Sequence, residues 1–306
     1  MIIGRIKDSV FFLITVYLSG CLLLSTDLYA AKKTARSRLL ADTNWLAERL
    51  ANRNILIIDV RPPDQYKAGH IRNAINLPVD DTFIKHSYGN RVAPPVRIRQ
   101  LFRRAGLKNG HWIVIYDNGL LKNAARFYWV LKIYGHRKIS ILNGGYNQWV
   151  REKRATTQKT FTRKPSNYVP VIAHQYLSTK FGTLLAIDNP QVTIIDSRSR
   201  DEYLGLSSKA KRFGHIPRAQ SIPWNMNLEL VDGLYKLKPW GTLKALYKHL
   251  DKRVPVITYC NRGKESAVSF FVLSMLGYKV SVYDGAWLEW GNDRSLPIVK
   301  PDDNAK

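Results

Sequence analysis

Two stretches of the chain carry the same succession of apolar and polar positions. The first opens on an apolar run at 55–58 and closes on Asp59-Val60-Arg61; Tyr66, Gly69-His70-Ile71, Ala74 and Leu77-Pro78 follow. The second opens on Val192-Thr193-Ile194-Ile195 and closes on Asp196-Ser197-Arg198; Tyr203, Gly214-His215-Ile216, Ala219 and Ile222-Pro223 follow in the same order. Short apolar runs ended by polar residues predict buried strands. Each copy then predicts a second strand (Trp112–Tyr116 or Val256–Tyr259), an amphipathic helix (124–134 or 266–276) and a glycine stop (Gly135 or Gly277). A third strand, Ile139–Leu142 or Val280–Tyr283, leads to Asn143-Gly144-Gly145-Tyr146 with Trp149, or to Asp284-Gly285-Ala286-Trp287 with Trp290. The three tryptophans and the stripe Phe270-Phe271-Leu273-Leu276 read as core, with Trp287 lining a pocket as the alternative for that residue.

Strands alternating with helices predict an α/β fold, each copy a mainly parallel sheet flanked by helices. The repeat is domain-sized, so it is a duplicated domain and not a solenoid. The pattern places the first domain at 38–152, a linker rich in Lys, Arg, Thr and Pro at 153–172, and the second domain at 173–300.

Residues 1–30 have a different character. Arg5 and Lys7 precede an apolar run at 10–18 broken by Thr15, then Leu18-Ser19-Gly20-Cys21, apolar 22–24 and polar Ser25-Thr26-Asp27. A charged head, an apolar middle and small residues at the end predict an export signal. Leu-Ser-Gly-Cys resembles the bacterial lipoprotein box, which makes Cys21 the lipidated residue. Cleavage after Ala30, and retention of 10–24 as an anchor slightly short of the roughly 20 residues of a span, are the alternatives. All three place the folded part outside the cytoplasm, in the periplasm, lipid-anchored or otherwise attached to the membrane in two of them.

Composition adds a charge and a cysteine count. The 306 residues suit about two domains of roughly 150 each. Lys and Arg number 48 against 23 Asp and Glu, a net +25, which favours small oxyanions, acidic surfaces or nucleic acid as partners. Zinc-finger spacing and RNA-binding aromatic signatures are absent from the sequence, so nucleic acid is not the predicted partner. Two cysteines without near partners, Cys21 and Cys260, exclude both a disulfide framework and metal sites built on Cys pairs.

The order Asp-x-Arg, an aromatic residue, Gly-His-Ile, strand–loop–helix and a closing glycine-aromatic-tryptophan resembles the rhodanese domain. Tyr-Asp-Gly-x-Trp-x-Glu-Trp at 283–290 is similar to the two-domain thiosulfate and mercaptopyruvate sulfurtransferases. The resemblance runs from about residue 40 to 300. It implies two tandem rhodanese-like domains and a sulfurtransferase that needs no metal or organic cofactor. It also implies a small anionic donor, thiosulfate or 3-mercaptopyruvate, and cyanide or a thiol as acceptor.

Tyr259-Cys260-Asn261-Arg262-Gly263-Lys264-Glu265-Ser266 is the segment that carries chemistry. A cysteine between a central parallel strand and a helix sits where ligands bind in open α/β sheets. Loop N–H groups and the helix start favour an anion there and lower a thiol pKa. Arg262 and Lys264 add positive charge. Cys260 is therefore expected to be a thiolate nucleophile at neutral pH, in an open electropositive pocket. Asn261, Arg262, Gly263, Lys264, Glu265 and Ser266 are the expected substrate-binding residues, with Arg198 as a further donor contact.

Double displacement follows: Cys260 takes the outer sulfur of the donor as a persulfide and passes it to the acceptor. Mercaptopyruvate enzymes resemble Cys-Gly-Ser-Gly-x-Thr here; Arg262 in third place is nearer the thiosulfate type. Glu265 stands where the family has threonine and offsets the cradle's positive potential, and Glu202 stands near a place where the animal enzymes use arginine. Mercaptopyruvate transfer and a carrier or interaction module without turnover are the alternatives. Phosphatases of this fold need Cys-x5-Arg, and Ser266 holds that arginine's place. The first copy has Asp117 at the nucleophile's position and is expected to be catalytically silent, supplying one wall of the cleft. His70 and His215 read as structural supports, and the Asp59/Arg61 and Asp196/Arg198 pairs as strand-end ties.

Overall fold

The computed structural model describes residues 39–86 and 89–300. Residues 1–30, read above as an export signal, and Cys21 within them lie outside the described residues. The first domain's strands are β1 (Leu40–Ala41), β2 (Ile55–Asp59), β3 (Ile75–Asn76), β4 (Trp112–Tyr116) and β5 (Ile139–Leu142), in sheet order β1-β5-β4-β2-β3. The second domain's strands are β6 (Leu177–Ser178), β7 (Thr193–Asp196), β8 (Gln220–Ser221), β9 (Val256–Tyr259) and β10 (Val280–Tyr283), in sheet order β6-β10-β9-β7-β8. Central strands β2, β4, β7 and β9 pair in parallel, with Asp59 opposite Tyr116 and Asp196 opposite Tyr259. Both domains thus repeat one topology, as the pattern predicts.

Strand ends are tied identically in the two copies. Arg61 grips Asp59 through Nε and Nη2 and donates to Gly69 O; Arg198 does the same with Asp196 and Gly214 O. Tyr116 OH accepts from Ile71 N–H, and Tyr259 OH from Ile216 N–H. His70 stacks on Tyr66 with Nδ1 against Tyr66 O, and His215 stacks on Tyr203 with Nδ1 against Tyr203 O. These histidines hold turns, which accounts for both without a role in proton transfer.

The two long helices differ from expectation. Helix α1 (Lys122–Ile133) and helix α2 (Glu265–Leu276) each bury nine of twelve residues, so neither is amphipathic. Each covers its own sheet with one face and packs on the other helix with the opposite face. Tyr128 meets Phe271 edge-on with ring centroids 5.0 Å apart. The apolar stripe thus belongs to a shared inter-domain core, and a helix dry on all sides loses the 3.6-residue alternation that solvent would impose.

Two antiparallel hairpins complete a crosswise arrangement. One, Phe83–His86 with Gly89–Val92, rises from the first domain; the other, Leu228–Val231 with Leu234–Leu237, rises from the second. Tyr235 and Leu237 line a small space with Asp117 and Gly119 of the first domain. Val92 N–H and Arg91 of the first hairpin reach Asp284 and Glu289 of the second domain.

The segment 153–172 is a connector strapped onto the first domain. Thr156–Thr157 pairs with His70–Ile71, Phe161 N–H donates to Tyr66 OH, and Tyr168 is fully buried against Phe102.

Candidate active site

Cys260 follows β9 and precedes α2, at the carboxyl end of a central parallel strand. Its Sγ accepts a hydrogen bond from Gly263 N–H at 3.0 Å and one from Ser266 Oγ–H at 3.5 Å. Its carbonyl accepts Trp287 N–H at 2.8 Å, fixing the root of the loop on the Asp284–Trp287 turn. Gly263 is required twice over. Its φ is +81°, where side chains are disfavoured, and a Cβ there would lie 2.5 Å from Arg126 Nη1.

The first domain shows what this loop geometry is for. Asp117 takes the place of Cys260, with its carbonyl accepting Tyr146 N–H at 2.8 Å. Its carboxylate accepts four backbone N–H groups, from Gly119 (2.8 Å), Leu121 (3.3 Å), Asn123 (3.2 Å) and Ala124 (3.2 Å). The same strand–loop–helix unit thus gathers four N–H donors on a carboxylate in one copy and sets Gly263 N–H and Ser266 Oγ–H on a sulfur in the other.

The thiol's resting state departs from expectation. Cys260 is 0% exposed, so the open pocket expected around it is closed in this structure. Burial first, and then the charge of Glu265, push its pKa up to about 12, against the lowering by Ser266. Desolvation of a thiolate outweighs the loop's few N–H dipoles.

Each expected binding residue has a definite place. Asn261 is buried, its Nδ2 donating to Glu202 Oε1 at 2.7 Å while its Oδ1 has no partner. The carboxylate can only accept, so the amide's orientation is settled. Glu202 is itself the third residue of a capping box with Ser199, so it links the short helix Arg200–Tyr203 to the loop. Arg262 is exposed. Lys264 Nζ reaches Asp80 of the first domain at 3.0 Å. Glu265 opens α2, and Ser266 is fully buried under the sulfur. Arg198 is not brought into the loop: it is 1% exposed, committed to Asp196 and Gly214 O, and stacked on the Trp287 ring at 4.2 Å.

Sequence reasoning missed the residues that brace the loop from the other domain. Arg126, fully buried in α1, donates from Nη2 to Asp284 Oδ1 at 2.6 Å and from Nη1 to Gly263 O at 3.2 Å. Asp284 Oδ2 also accepts Val92 N–H at 2.7 Å. One signal was available: Arg126 is a lone cation within Ala124-Ala125-Arg126-Phe127-Tyr128-Trp129. A charge in so apolar a helix must be paired.

A duplicated α/β domain with an anion-cradling loop, a cysteine in the second copy and a carboxylate in the first, defines the class. The chain belongs to the rhodanese family of sulfurtransferases: a model of the rhodanese-like domain matches residues 42–152 and 183–293. It is 30% identical over 283 residues to the sulfur carrier protein TtuD of Thermus thermophilus, covering 87% of this chain and 98% of that protein. It is 27% identical to a thiosulfate sulfurtransferase of Corynebacterium glutamicum over 294 residues, 88% of this chain and 93% of that one. Among solved structures it resembles SseA of Escherichia coli, described as a 3-mercaptopyruvate sulfotransferase. That likeness has a TM-score of 0.72 at 27% identity, covering 81% of this chain and 98% of SseA.

Proposed function

We propose that the chain transfers sulfane sulfur from thiosulfate to cyanide or a thiol through a persulfide on Cys260. The observation that carries this reading is the cradle itself. The loop that holds the Asp117 carboxylate with four N–H groups in one domain presents Cys260 in the other. The Cys260 thiol, protonated at rest, gives its proton to water as the donor engages it, and its sulfur attacks the outer sulfur of thiosulfate. A new S–S bond forms, the donor's S–S bond breaks, and sulfite leaves with the electron pair. The acceptor's lone pair then takes the outer sulfur, giving thiocyanate or an acceptor persulfide and returning the thiolate. The chain's share is to hold the terminal persulfide anion with loop N–H groups, to keep the Ser266 hydroxyl at the sulfur, and to exclude water.

Thiocyanate formation from thiosulfate and cyanide tests this, with Cys260→Ser beside the unmutated chain. A rate abolished by the substitution supports it; no rate from the folded parent overturns the thiosulfate reading, and 3-mercaptopyruvate is then the donor to try. The complete burial of Cys260 favours a second reading, a sulfur carrier that loads slowly and turns over little. Such a chain takes up one sulfur but yields no steady thiocyanate rate. We further propose export directed by residues 1–30 with Cys21 lipidated. The sequence pattern supports this, and a mass for the mature chain starting at unmodified Ala31 would replace it with cleavage after Ala30.

A further inference from the structure

We infer that a cavity remote from Cys260 is a second anion site, for a small phosphorylated or sulfated molecule. The cavity, of about 820 Å3, is lined by Arg53, Lys108, His111, Arg163 and Lys164, and none of the described residues lining it is acidic. It lies where the first sheet begins. Asn54 precedes β2 and His111 precedes β4, whereas Asp117 follows the opposite end of β4.

His111 supplies the specific argument. Its ring is buried, with Nδ1 3.1 Å from the backbone N of Lys108 and Nε2 3.4 Å from Nη1 of Arg163. The Lys108 N–H can only donate, so Nδ1 is the acceptor and the neutral ring carries its proton on Nε2. Nε2–H and the Arg163 guanidinium are then two donors facing each other, with no acceptor from the described residues shared between them. Charging the ring gives no relief, since burial first, and then Arg163 and Lys108, hold its pKa down at about 4. Arg163 donates from Nη2 to Ile55 O and has its own pKa lowered by burial, and among the described residues it forms no ion pair with a carboxylate.

A tetrahedral oxyanion resolves this arrangement. One oxygen accepts from Nε2–H and another from the guanidinium, in charge-assisted bonds, while Lys108, Arg53 and Lys164 balance the remaining charge. The volume lies in the range of small-molecule sites and leaves room for an organic body beside Phe161.

Isothermal titration of the full chain with inorganic pyrophosphate tests the site, using Arg163→Gln and Lys108→Gln as variants. Lys108 is exposed, so its substitution leaves folding intact if Arg163→Gln does not. The expected result is one pyrophosphate per chain, at least about tenfold weaker binding in Arg163→Gln and about threefold in Lys108→Gln. Thiocyanate turnover is unchanged in Lys108→Gln, and the His111 ring resonances shift on titration. Equal affinity in the parent and both variants, or no binding at millimolar pyrophosphate, would overturn the inference.

Discussion

Replacing Arg126 by methionine should destabilise the whole chain although the residue is on the non-catalytic domain. Methionine keeps much of the stem that packs between the Phe83 and Trp129 rings, 4.8 and 4.2 Å from the guanidinium carbon. It removes the charge that faces Asp284, whose side chain is only 5% exposed. Asp284 is left buried as an anion with Val92 N–H as its remaining side-chain donor, and Gly263 O loses its partner. Leaving one member of a buried pair uncompensated costs about 3–5 kcal/mol. For a chain of this size that is a fall in Tm on the order of 5–8 °C. Urea unfolding of the parent, Arg126→Met and the double variant Arg126→Met/Asp284→Asn measures it. The double variant should recover roughly half or more of the loss, because the stranded charge is gone. A single-variant loss under about 1 kcal/mol, or no recovery in the double variant, would refute the reasoning that this pair is what joins the loop to the first domain.

Further outcomes follow from the same geometry. Glu265→Gln removes the carboxylate that, after burial, holds the Cys260 thiol up at about 12; the pH profile of its alkylation should move to lower pH, and an unmoved profile would clear Glu265 of that effect. Asp117→Asn bears on stability. Burial raises the Asp117 carboxyl pKa above its unfolded value, so its contribution is fully present below the unfolded value of about 3.9 and is lost as pH rises through the folded one. The variant should therefore lose less stability than the parent as pH rises from about 4, a difference that unfolding across that window detects. Lys264→Ala breaks a pair with the largely exposed Asp80 and should cost less than about 1 kcal/mol. A larger loss in urea unfolding would assign the exposed pair a role in joining the domains.

The sequence made the duplicated architecture legible because each copy repeats a chain of local ties. Asp59-x-Arg61, Tyr66 and Gly69-His70-Ile71 fold into one network in the first domain, and Asp196-x-Arg198, Tyr203 and Gly214-His215-Ile216 into its twin. The position of Cys260 between strand and helix was readable for the same reason. What escaped was the pairing of individual side chains between the two copies. Arg126 and Asp284 are 158 residues apart, and Lys264 and Asp80 are 184 apart. No spacing rule joins such positions, and they meet only because each domain's hairpin and helix cross onto the other. The thiol's state escaped as well. Loop charges at Arg262 and Lys264 are visible in sequence, whereas the complete burial that raises the Cys260 pKa is a property of packing.

Intact mass after incubation with thiosulfate, without acceptor, tests the central claim most directly. The account predicts one added sulfur atom per chain, lost on adding cyanide and never formed in Cys260→Ser. A folded parent that gains no mass, or a Cys260→Ser chain that gains the same mass, would contradict it.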